Sequence, residues 1–310
     1  MDHPTPPAAT LWGIDLGGTK VEGAILAAET GWQATHRLRL PTESARGYDH
    51  VVRQITRVVE QLEAASGRRR PAIIGIGTPG VTEPATGVLK NSNSVCLNGR
   101  PLREDLAAIL GCRIEMANDA NCFALAEATI GAAAGRGVVI GLILGTGVGS
   151  GVVVNGRVLN GRHGIAGEWG HNPIGGEDAP CYCGRRGCVE TVISGPALER
   201  FYRMRSGQEL KLPDIVARRD TGDPAAVATI ERLLAKFGEA IAAVINIVDP
   251  DAIVIGGGVG NIDALYTDAA RQEVLKHLFN SDLKTEFLRP KLGDSAGVFG
   301  AAMLAKPDRT

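Results

Sequence analysis

The sequence has few aromatic residues and almost no net charge. Phe, Trp and Tyr make up 4% of its 310 residues, and the formal net charge at pH 7 is −1. Because nucleic-acid binding needs an excess of positive charge, we expect no nucleic-acid partner. The N-terminus lacks a basic start followed by an apolar stretch, so we expect no secretory signal. The six cysteines are then expected to be thiols or metal ligands in a cytoplasmic protein.

Glycine, in contrast, is abundant, with 41 residues. This content predicts tight turns and loops whose backbone approaches another group closely. Residues 137–156 contain no charged residue, and such a stretch is long enough for one membrane span. β-branched residues flank its glycine-rich centre, however, which favours two strands joined by a turn. We therefore expect no membrane association.

The chain alternates between strand-like and helix-like segments, which predicts the α/β class. Apolar positions at spacings of three and four predict helices over residues 48–64 and 224–248. A pattern of strand, glycine turn and strand near residue 15 returns near residue 145, which predicts two similar lobes around a shared cleft. We place the N-terminal lobe at residues 10–117, with a last helix at 298–310 packing back on it. The C-terminal lobe is placed at residues 118–297.

Three glycine-rich turns each follow an apolar strand. Glycine lets backbone N–H groups approach an anion, and a neighbouring threonine or lysine adds a donor or a positive charge. The turns are therefore predicted to bind phosphate, whereas the alternative is hairpin turns that need a positive φ. Asp15 precedes the first turn, and a carboxylate among phosphate ligands requires a cation such as Mg²⁺. The predicted phosphate-binding residues are Gly17, Gly18, Thr19, Lys20, Gly145, Thr146, Gly147, Gly256, Gly257 and Gly258.

A cluster of cysteines in the second half of the chain predicts a metal site. Cys181, Cys183 and Cys188 lie within a segment of eight residues, and His171 lies ten residues upstream of the first of them. Three thiolates and one imidazole make a closed tetrahedral Zn²⁺ site of the structural kind. The alternative is three reduced thiols in the core. This loop belongs to the predicted C-terminal lobe.

Two groups of polar residues are candidates for substrate contacts. Asn118 and Asp119 stand at a predicted helix start, where either residue could simply cap the helix. Glu168 and Glu190 flank the predicted zinc ligands, so one bound ion would hold both carboxylates near each other. Such a pair suits the neighbouring hydroxyls of a sugar, and the alternative is a pair of surface acids.

Several motifs together resemble a known family. They are Asp15-Leu-Gly-Gly-Thr-Lys, Gly75-Ile-Gly-Thr-Pro-Gly, Asn118-Asp-Ala-Asn, the glycine-rich stretch 142–170, Cys181-x-Cys-Gly-x-x-Gly-Cys and Gly256-Gly-Gly. From about Leu11 to Leu304, the chain resembles the ROK family of bacterial sugar kinases and sugar-responsive repressors. Family repressors carry an N-terminal helix-turn-helix, which we do not expect here because only about ten residues precede the first strand.

The resemblance implies a two-lobed, duplicated ribonuclease-H-like fold of the actin and hexokinase type with a central cleft. It also implies ATP, Mg²⁺ and structural Zn²⁺, and a homodimer. Asp119 is implied as the catalytic base. The residues implied to contact the sugar are Asn118, Asp119, Glu168, His171 and Glu190, with His171 also serving the zinc.

The identity of the sugar is predicted from a short loop. The segment from Lys90 to Gly99 resembles the fructokinase branch, and Asn91, Asn93 and Asn98 carry amides that could pair with sugar hydroxyls. We therefore predict the phosphorylation of fructose to fructose 6-phosphate, with mannose and glucose as weaker substrates. The segment 121–125 resembles N-acetylglucosamine kinases instead, so an N-acetylhexosamine kinase is the alternative. A second alternative is a sugar-sensing regulator without turnover.

Overall fold

A computed structural model of the chain describes residues 9–307, which divide into two compact units. Unit 1 comprises the described parts of Met1–Ala134, Asn160–Ala166 and Leu292–Thr310. Unit 2 comprises Gly135–Leu159 and Gly167–Lys291. None of the helices within the described residues combines the length and the apolar character that a bilayer crossing needs.

Unit 1 is built on a five-stranded sheet with the strand order β3-β2-β1-β4-β7. β1, β2 and β3 run antiparallel, whereas β1, β4 and β7 run parallel to one another. β5 and β6 form a separate two-stranded pair. The strands are β1 (Thr10–Leu16), β2 (Lys20–Ala27), β3 (Gln33–Pro41), β4 (Ile73–Thr78), β5 (Val81–Thr82), β6 (Leu89–Lys90) and β7 (Arg113–Asn118).

Helices cover both faces of this sheet. They are α1 (Tyr48–Ser66), α2 (Leu102–Leu110), α3 (Asp119–Thr129) and α10 (Ala296–Leu304). Ile14, Ile74 and Ile76 are fully buried in one core with the apolar face of α1 and with α2. Because side chains alternate across a strand, the neighbouring positions face α10 on the other side.

The helix α10 lies unusually close to the sheet and to α3. A Cβ at Gly75 of β4 would overlap the carbonyl oxygen of Ala301, and a Cβ at Gly300 would overlap that of Cys122 in α3. These two glycines therefore permit an approach that a larger residue would block. The resulting contacts hold the last helix and α3 together as parts of unit 1.

Unit 2 repeats the sheet of unit 1. Its strand order is β10-β9-β8-β11-β12, with β8, β9 and β10 antiparallel and β8, β11 and β12 parallel. Order and directions therefore match β3-β2-β1-β4-β7, which is the duplication that the repeat predicts. The strands are β8 (Val138–Leu144), β9 (Val148–Val154), β10 (Arg157–Val158), β11 (Ala252–Gly256) and β12 (Glu286–Leu288). The charge-free stretch 137–156 thus forms two strands around a turn.

The helices of unit 2 pack around one long central helix, α7. Asp223 caps this helix through its carboxylate, which accepts the backbone N–H groups of Ala225 and Ala226. Leu233, Phe237 and Ile241 lie on its fully buried face. The helices are α4 (Val189–Ile193), α5 (Gly195–Ser206), α6 (Leu212–Asp220), α7 (Pro224–Val248), α8 (Gly257–Gly260) and α9 (Asp268–Leu275).

The boundary between the units differs from the sequence-based one. The prediction ends the N-terminal lobe at residue 117, whereas residues up to Ala134 belong to unit 1. The reason is that α3 packs against α10, a contact between segments far apart in the chain. Asn160–Ala166 also belongs to unit 1, because Gly164 lies against the Thr82 carbonyl and Pro84.

Candidate functional site

The parallel strands of unit 1 bring Asp15 and the Asn118-Asp119 pair to one edge of the sheet. Asp15 lies at the end of β1, beside Gly77 of β4, and Asn118 lies at the end of β7, beside Thr78 of β4. Asn118 caps α3, since its side-chain oxygen accepts the N–H of Asn121 at 2.8 Å. Asp119, the first residue of α3, is therefore not the cap and remains available for another role.

Both carboxyl groups are less acidic than usual. Burial raises the pKa of Asp15 from 3.8 to about 6, and the negative charges of Asp119 and Glu22 add to the shift, while Lys20 opposes it. Asp119 is exposed, but desolvation by the surrounding protein raises its pKa as well. The N–H of Ala120, which donates to Oδ1 at 2.8 Å, offsets part of that effect. A bound cation would stabilise the ionised forms of both carboxyl groups.

The first glycine turn connects β1 and β2. The N–H of Gly17 donates to the carbonyl of Lys20 at 2.8 Å, and the Thr42 hydroxyl donates to the carbonyl of Gly17 at 2.7 Å. Gly18 and Thr19 are exposed. Lys20 forms an ion pair of 3.3 Å with Glu22. Thr42, which the sequence analysis missed, braces this turn, and nothing in its local sequence signals that role.

In residues 90–99, the asparagine loop, two of the three asparagines have structural roles within the loop. Asn98 uses both ends of its amide on the backbone of Ser92, at 2.8 and 3.0 Å. Asn91 has a φ of 58°, a left-handed conformation typical of asparagine in turns. Asn93 is exposed. Of the three amides predicted to meet sugar hydroxyls, Asn98 is thus committed to the loop itself, and Asn91 serves as a turn residue.

In unit 2, the four predicted metal ligands come together. His171 Nδ1 and the sulfurs of Cys181, Cys183 and Cys188 all lie within 4.8 Å of one another. Nδ1 is 3.5 Å from the Cys181 sulfur, and the sulfurs of Cys183 and Cys188 are 3.6 Å apart. Tetrahedral Zn²⁺ with Zn–S near 2.3 Å and Zn–N near 2.0–2.1 Å has edges of about 3.5–3.8 Å. The donor set therefore fits this ion in both chemistry and size.

The loop that carries these ligands is tied to α7 by charged groups. Lys236 donates to the carbonyl of Gly175 at 3.0 Å, and Glu239 accepts the N–H of the same residue at 3.1 Å. Arg232 pairs with Glu177 at 2.7 Å. These contacts, which the sequence analysis did not foresee, fix the loop from outside the ligand cluster.

Residues beside the cluster include those predicted to meet the sugar. Glu168 precedes the short 3₁₀ helix Trp169–His171 and is exposed. His171 directs Nε2 at the hydroxyl of Tyr182, 3.0 Å away. Glu190, in the first turn of α4, accepts the N–H of Val148 at 3.0 Å through Oε2. Tyr182 is a further neighbour that the cysteine spacing alone could not identify.

The other two glycine segments are adjacent within unit 2. Gly145 follows β8, and its N–H donates to the carbonyl of Gly147 at 2.9 Å. Gly257 has a φ of 82°, and a Cβ there would overlap the carbonyl of Leu144. The segment Gly256–Gly258 is thus not a hairpin turn, which was the alternative to the predicted phosphate-binding turn. It ends β11 and begins α8, because the chain must turn sharply beside the end of β8.

Comparison with known proteins identifies the family. The family model of ROK matches residues 11–308. An N-acetyl-D-glucosamine kinase of Pasteurella multocida (strain Pm70) is 36% identical over 304 residues, which cover 94% of this chain and 98% of that protein. The chain belongs to the ROK family.

Solved ROK structures agree with this assignment. The ROK hexokinase from Thermus thermophilus has a TM-score of 0.85 and 32% identity, over 96% of this chain and 98% of that one. A ROK glucokinase from Streptomyces griseus, solved with glucose and AMPPNP, has a TM-score of 0.73 and 27% identity, over 96% and 99%. The predicted family and fold class are confirmed, while the fructokinase branch stays a prediction.

The raised pKa of Asp15 predicts a pH-dependent stability. Between about pH 4 and pH 6 the folded chain holds more protons on Asp15 than the unfolded chain does, so this residue lowers stability as the pH rises. Asp15→Asn cannot ionise and should be more stable than the wild type at about pH 7.5, with a smaller difference at about pH 4. Thermal unfolding of metal-free protein across this range measures it. Parallel stability profiles would contradict the prediction, and Asp220→Asn, at an exposed position, is the control.

Proposed function

We propose that this ATP-dependent sugar kinase phosphorylates N-acetyl-D-glucosamine, or a related N-acetylhexosamine, on the 6-hydroxyl. The observation that carries the proposal is the similarity, over nearly the whole chain, to a protein named as an N-acetyl-D-glucosamine kinase. The same similarity favours an enzyme over a regulator without turnover. The homodimer stays a prediction.

The structure of the asparagine loop supports fructose as the substrate less well than the sequence of the loop does. The amide of Asn98 is already paired with the Ser92 backbone, so it would have to break two hydrogen bonds to bind a sugar hydroxyl. Exposed Asn93 is the observation that still favours an unsubstituted hexose. Fructose therefore remains the second candidate substrate.

The glycine turns support a nucleotide-binding role. Gly18 and Gly145 lack a positive φ, and a Cβ at either position would meet no atom of the chain within 4 Å. The fold itself therefore does not require glycine at these positions. A phosphate group held against the backbone N–H groups would explain why no side chain is present.

The surroundings of the two acidic residues support the roles proposed for them. Asp15, with a second carboxylate nearby, would hold Mg²⁺, which neutralises phosphate charge when it is bound. Asp119 would accept the proton of the attacking sugar hydroxyl as the bond to phosphorus forms. Its raised pKa suits this task, because a more basic carboxylate accepts a proton more readily.

The cysteine cluster would hold a structural zinc ion. All four ligand positions are supplied by the chain, so no position is left for an activated water. The ion would fix the loop between Glu168 and Glu190, the two carboxylates proposed to bind sugar hydroxyls together with Asn118 and His171. The proposed zinc is thus a support for substrate binding and not a reactant.

Steady-state kinetics with a panel of sugars test the substrate. N-acetyl-D-glucosamine should exceed fructose in kcat/KM by at least about tenfold, which is roughly 1.4 kcal/mol of transition-state binding. Mannose, glucose and N-acetylmannosamine complete the panel, and the position of the phosphate is read by nuclear magnetic resonance of the product. If fructose gives the higher kcat/KM, the substrate proposal fails. Equal ADP release with and without every sugar would contradict the kinase itself.

Asp119→Asn tests the catalytic base. The amide keeps an oxygen for the Ala120 N–H and leaves the Asn118 cap intact, but it cannot accept the proton. We expect turnover to fall by about 10²–10⁴-fold. Calorimetric affinities for sugar and nucleotide should change little. Glu115→Gln, the same chemical change on β7, is the control, and retention of more than about a tenth of the turnover would reduce Asp119 to a structural role.

Metal analysis tests the zinc site. Protein purified without chelator should contain zinc in a ratio near one per chain, and Cys181→Ser should lose the metal and lower the unfolding temperature. Cys96→Ser, outside the cluster, should retain the metal. A zinc-free wild-type protein of normal stability would refute the site.

A further inference from the structure

The residue that follows the second glycine turn is held from both sides by the segment carrying the metal ligands. The N–H of Val148 donates to Glu190 Oε2 at 3.0 Å. On the other side Gly170 lies so close that a Cβ there would overlap the carbonyl oxygen of Val148. Gly170 directly precedes His171, and Glu190 comes two residues after Cys188. Both peptide groups of Val148 therefore contact neighbours of metal ligands.

The glycine turn itself shares these restraints. A Cβ at Gly147 would lie 2.6 Å from Glu190 Oε2, so the carboxylate is in contact with the turn as well as with β9. The carbonyl of Gly145 accepts the N–H of Gly195, the first residue of α5, at 2.8 Å. Two residues that follow the ligand cluster in the chain, Glu190 and Gly195, therefore contact the turn.

The position of Glu190 depends in turn on Cys188. The helix that carries Glu190, α4, has five residues, and a helix of that length has no stability of its own. Val189, Val192 and Ile193 of α4 are buried in the core of unit 2, and the residues before the helix add a second restraint: Cys188 is fully buried, and the N–H of Val189 donates to the carbonyl of Asn172, next to His171, at 2.9 Å. Loss of the ion would therefore remove a restraint on α4 and on the carboxylate that holds Val148.

We propose that Glu190 is a positioning residue that couples the metal cluster to the Gly145–Gly147 turn, so that nucleotide binding depends on the zinc site. This inference rests on the proposed function for its assignment of the turn to phosphate and of the cluster to zinc. It goes beyond the role of Glu190 as a sugar contact, because one of its oxygens already serves the turn. A hydrogen bond from a backbone N–H to a carboxylate is strong enough for this role.

The affinity for MgADP without sugar, measured by calorimetry, is the first test. Glu190→Gln should keep its zinc and bind MgADP about tenfold more weakly, because the amide accepts the Val148 N–H less strongly than a carboxylate does. Glu209→Gln, the same change at an exposed glutamate of unit 2 that has no role in either proposed site, should bind MgADP as the wild type does. Removal of zinc should weaken MgADP binding by the wild type, and should weaken that of Glu190→Gln much less, since the two changes act on one path.

Amide hydrogen exchange in zinc-loaded protein gives a readout that is independent of binding. The N–H of Val148 should exchange about tenfold faster in Glu190→Gln than in the wild type or in Glu209→Gln. Unchanged exchange, unchanged MgADP affinity, or equal effects of zinc removal on both proteins would overturn the coupling. Failure of the wild type to bind MgADP at all would instead contradict the proposed function, and the coupling with it.

Discussion

The parallel pairing of the central strands is the constraint on which both units depend. In unit 1, β4 lies between β1 and β7, so the carboxyl ends of all three strands meet at one edge. Asp15, Gly77 and Asn118 therefore lie side by side although they come from distant parts of the chain. In unit 2 the pairing of β8 with β11 does the same for Gly145 and Gly256. The duplicated topology thus determines where chemistry can be placed, since ligand sites of such sheets lie at the carboxyl ends of the strands.

In unit 1, the acidic residue Asp15 at this edge of the sheet lowers the stability of the fold. Asp15 is partly removed from water beside a second carboxylate, and a chain selected only for stability would place an uncharged residue there. The neighbouring packing is arranged around the acid: a Cβ at Gly297, in the first turn of α10, would lie 2.8 Å from Asp15 Oδ2. The close approach of α10 to β4 and α3 therefore does two things. It completes the buried face of unit 1, and it contributes to the burial of Asp15, which is the largest cause of the raised pKa of that residue.

The features that could be predicted are those fixed by short stretches of sequence. The apolar periodicity and the Asp223 cap predict the bounds of α7. The positions of one histidine and three cysteines in the sequence predict the metal cluster. The features that were missed depend on contacts between distant segments. The assignment of α3 to unit 1 follows from the fit of Gly300 against Cys122, and the bracing of the first turn follows from Thr42. The structural role of Asn98 was missed for a related reason: an amide has the same composition whether it faces a ligand or closes its own loop.

The metal cluster lies in a long loop of unit 2 that has little regular secondary structure. Between β10 and α4 the chain runs through about thirty residues with no element longer than the turn Trp169–His171, and a loop of that length is seldom ordered by its own side chains. Eight of these residues are glycine and six are charged, and Trp169 and Ile174 are the large apolar side chains of this segment that are buried in the core. Charged contacts to α7 hold this loop at Gly175 and Glu177, and the N–H of Val189 donates to the carbonyl of Asn172, which joins the two segments that carry Glu168 and Glu190. One ion bound by His171 and Cys188 would join the same two segments more firmly, because each ligand stands within three residues of one of the carboxylates. The loop can then be rigid at the positions that contact other groups and irregular everywhere else.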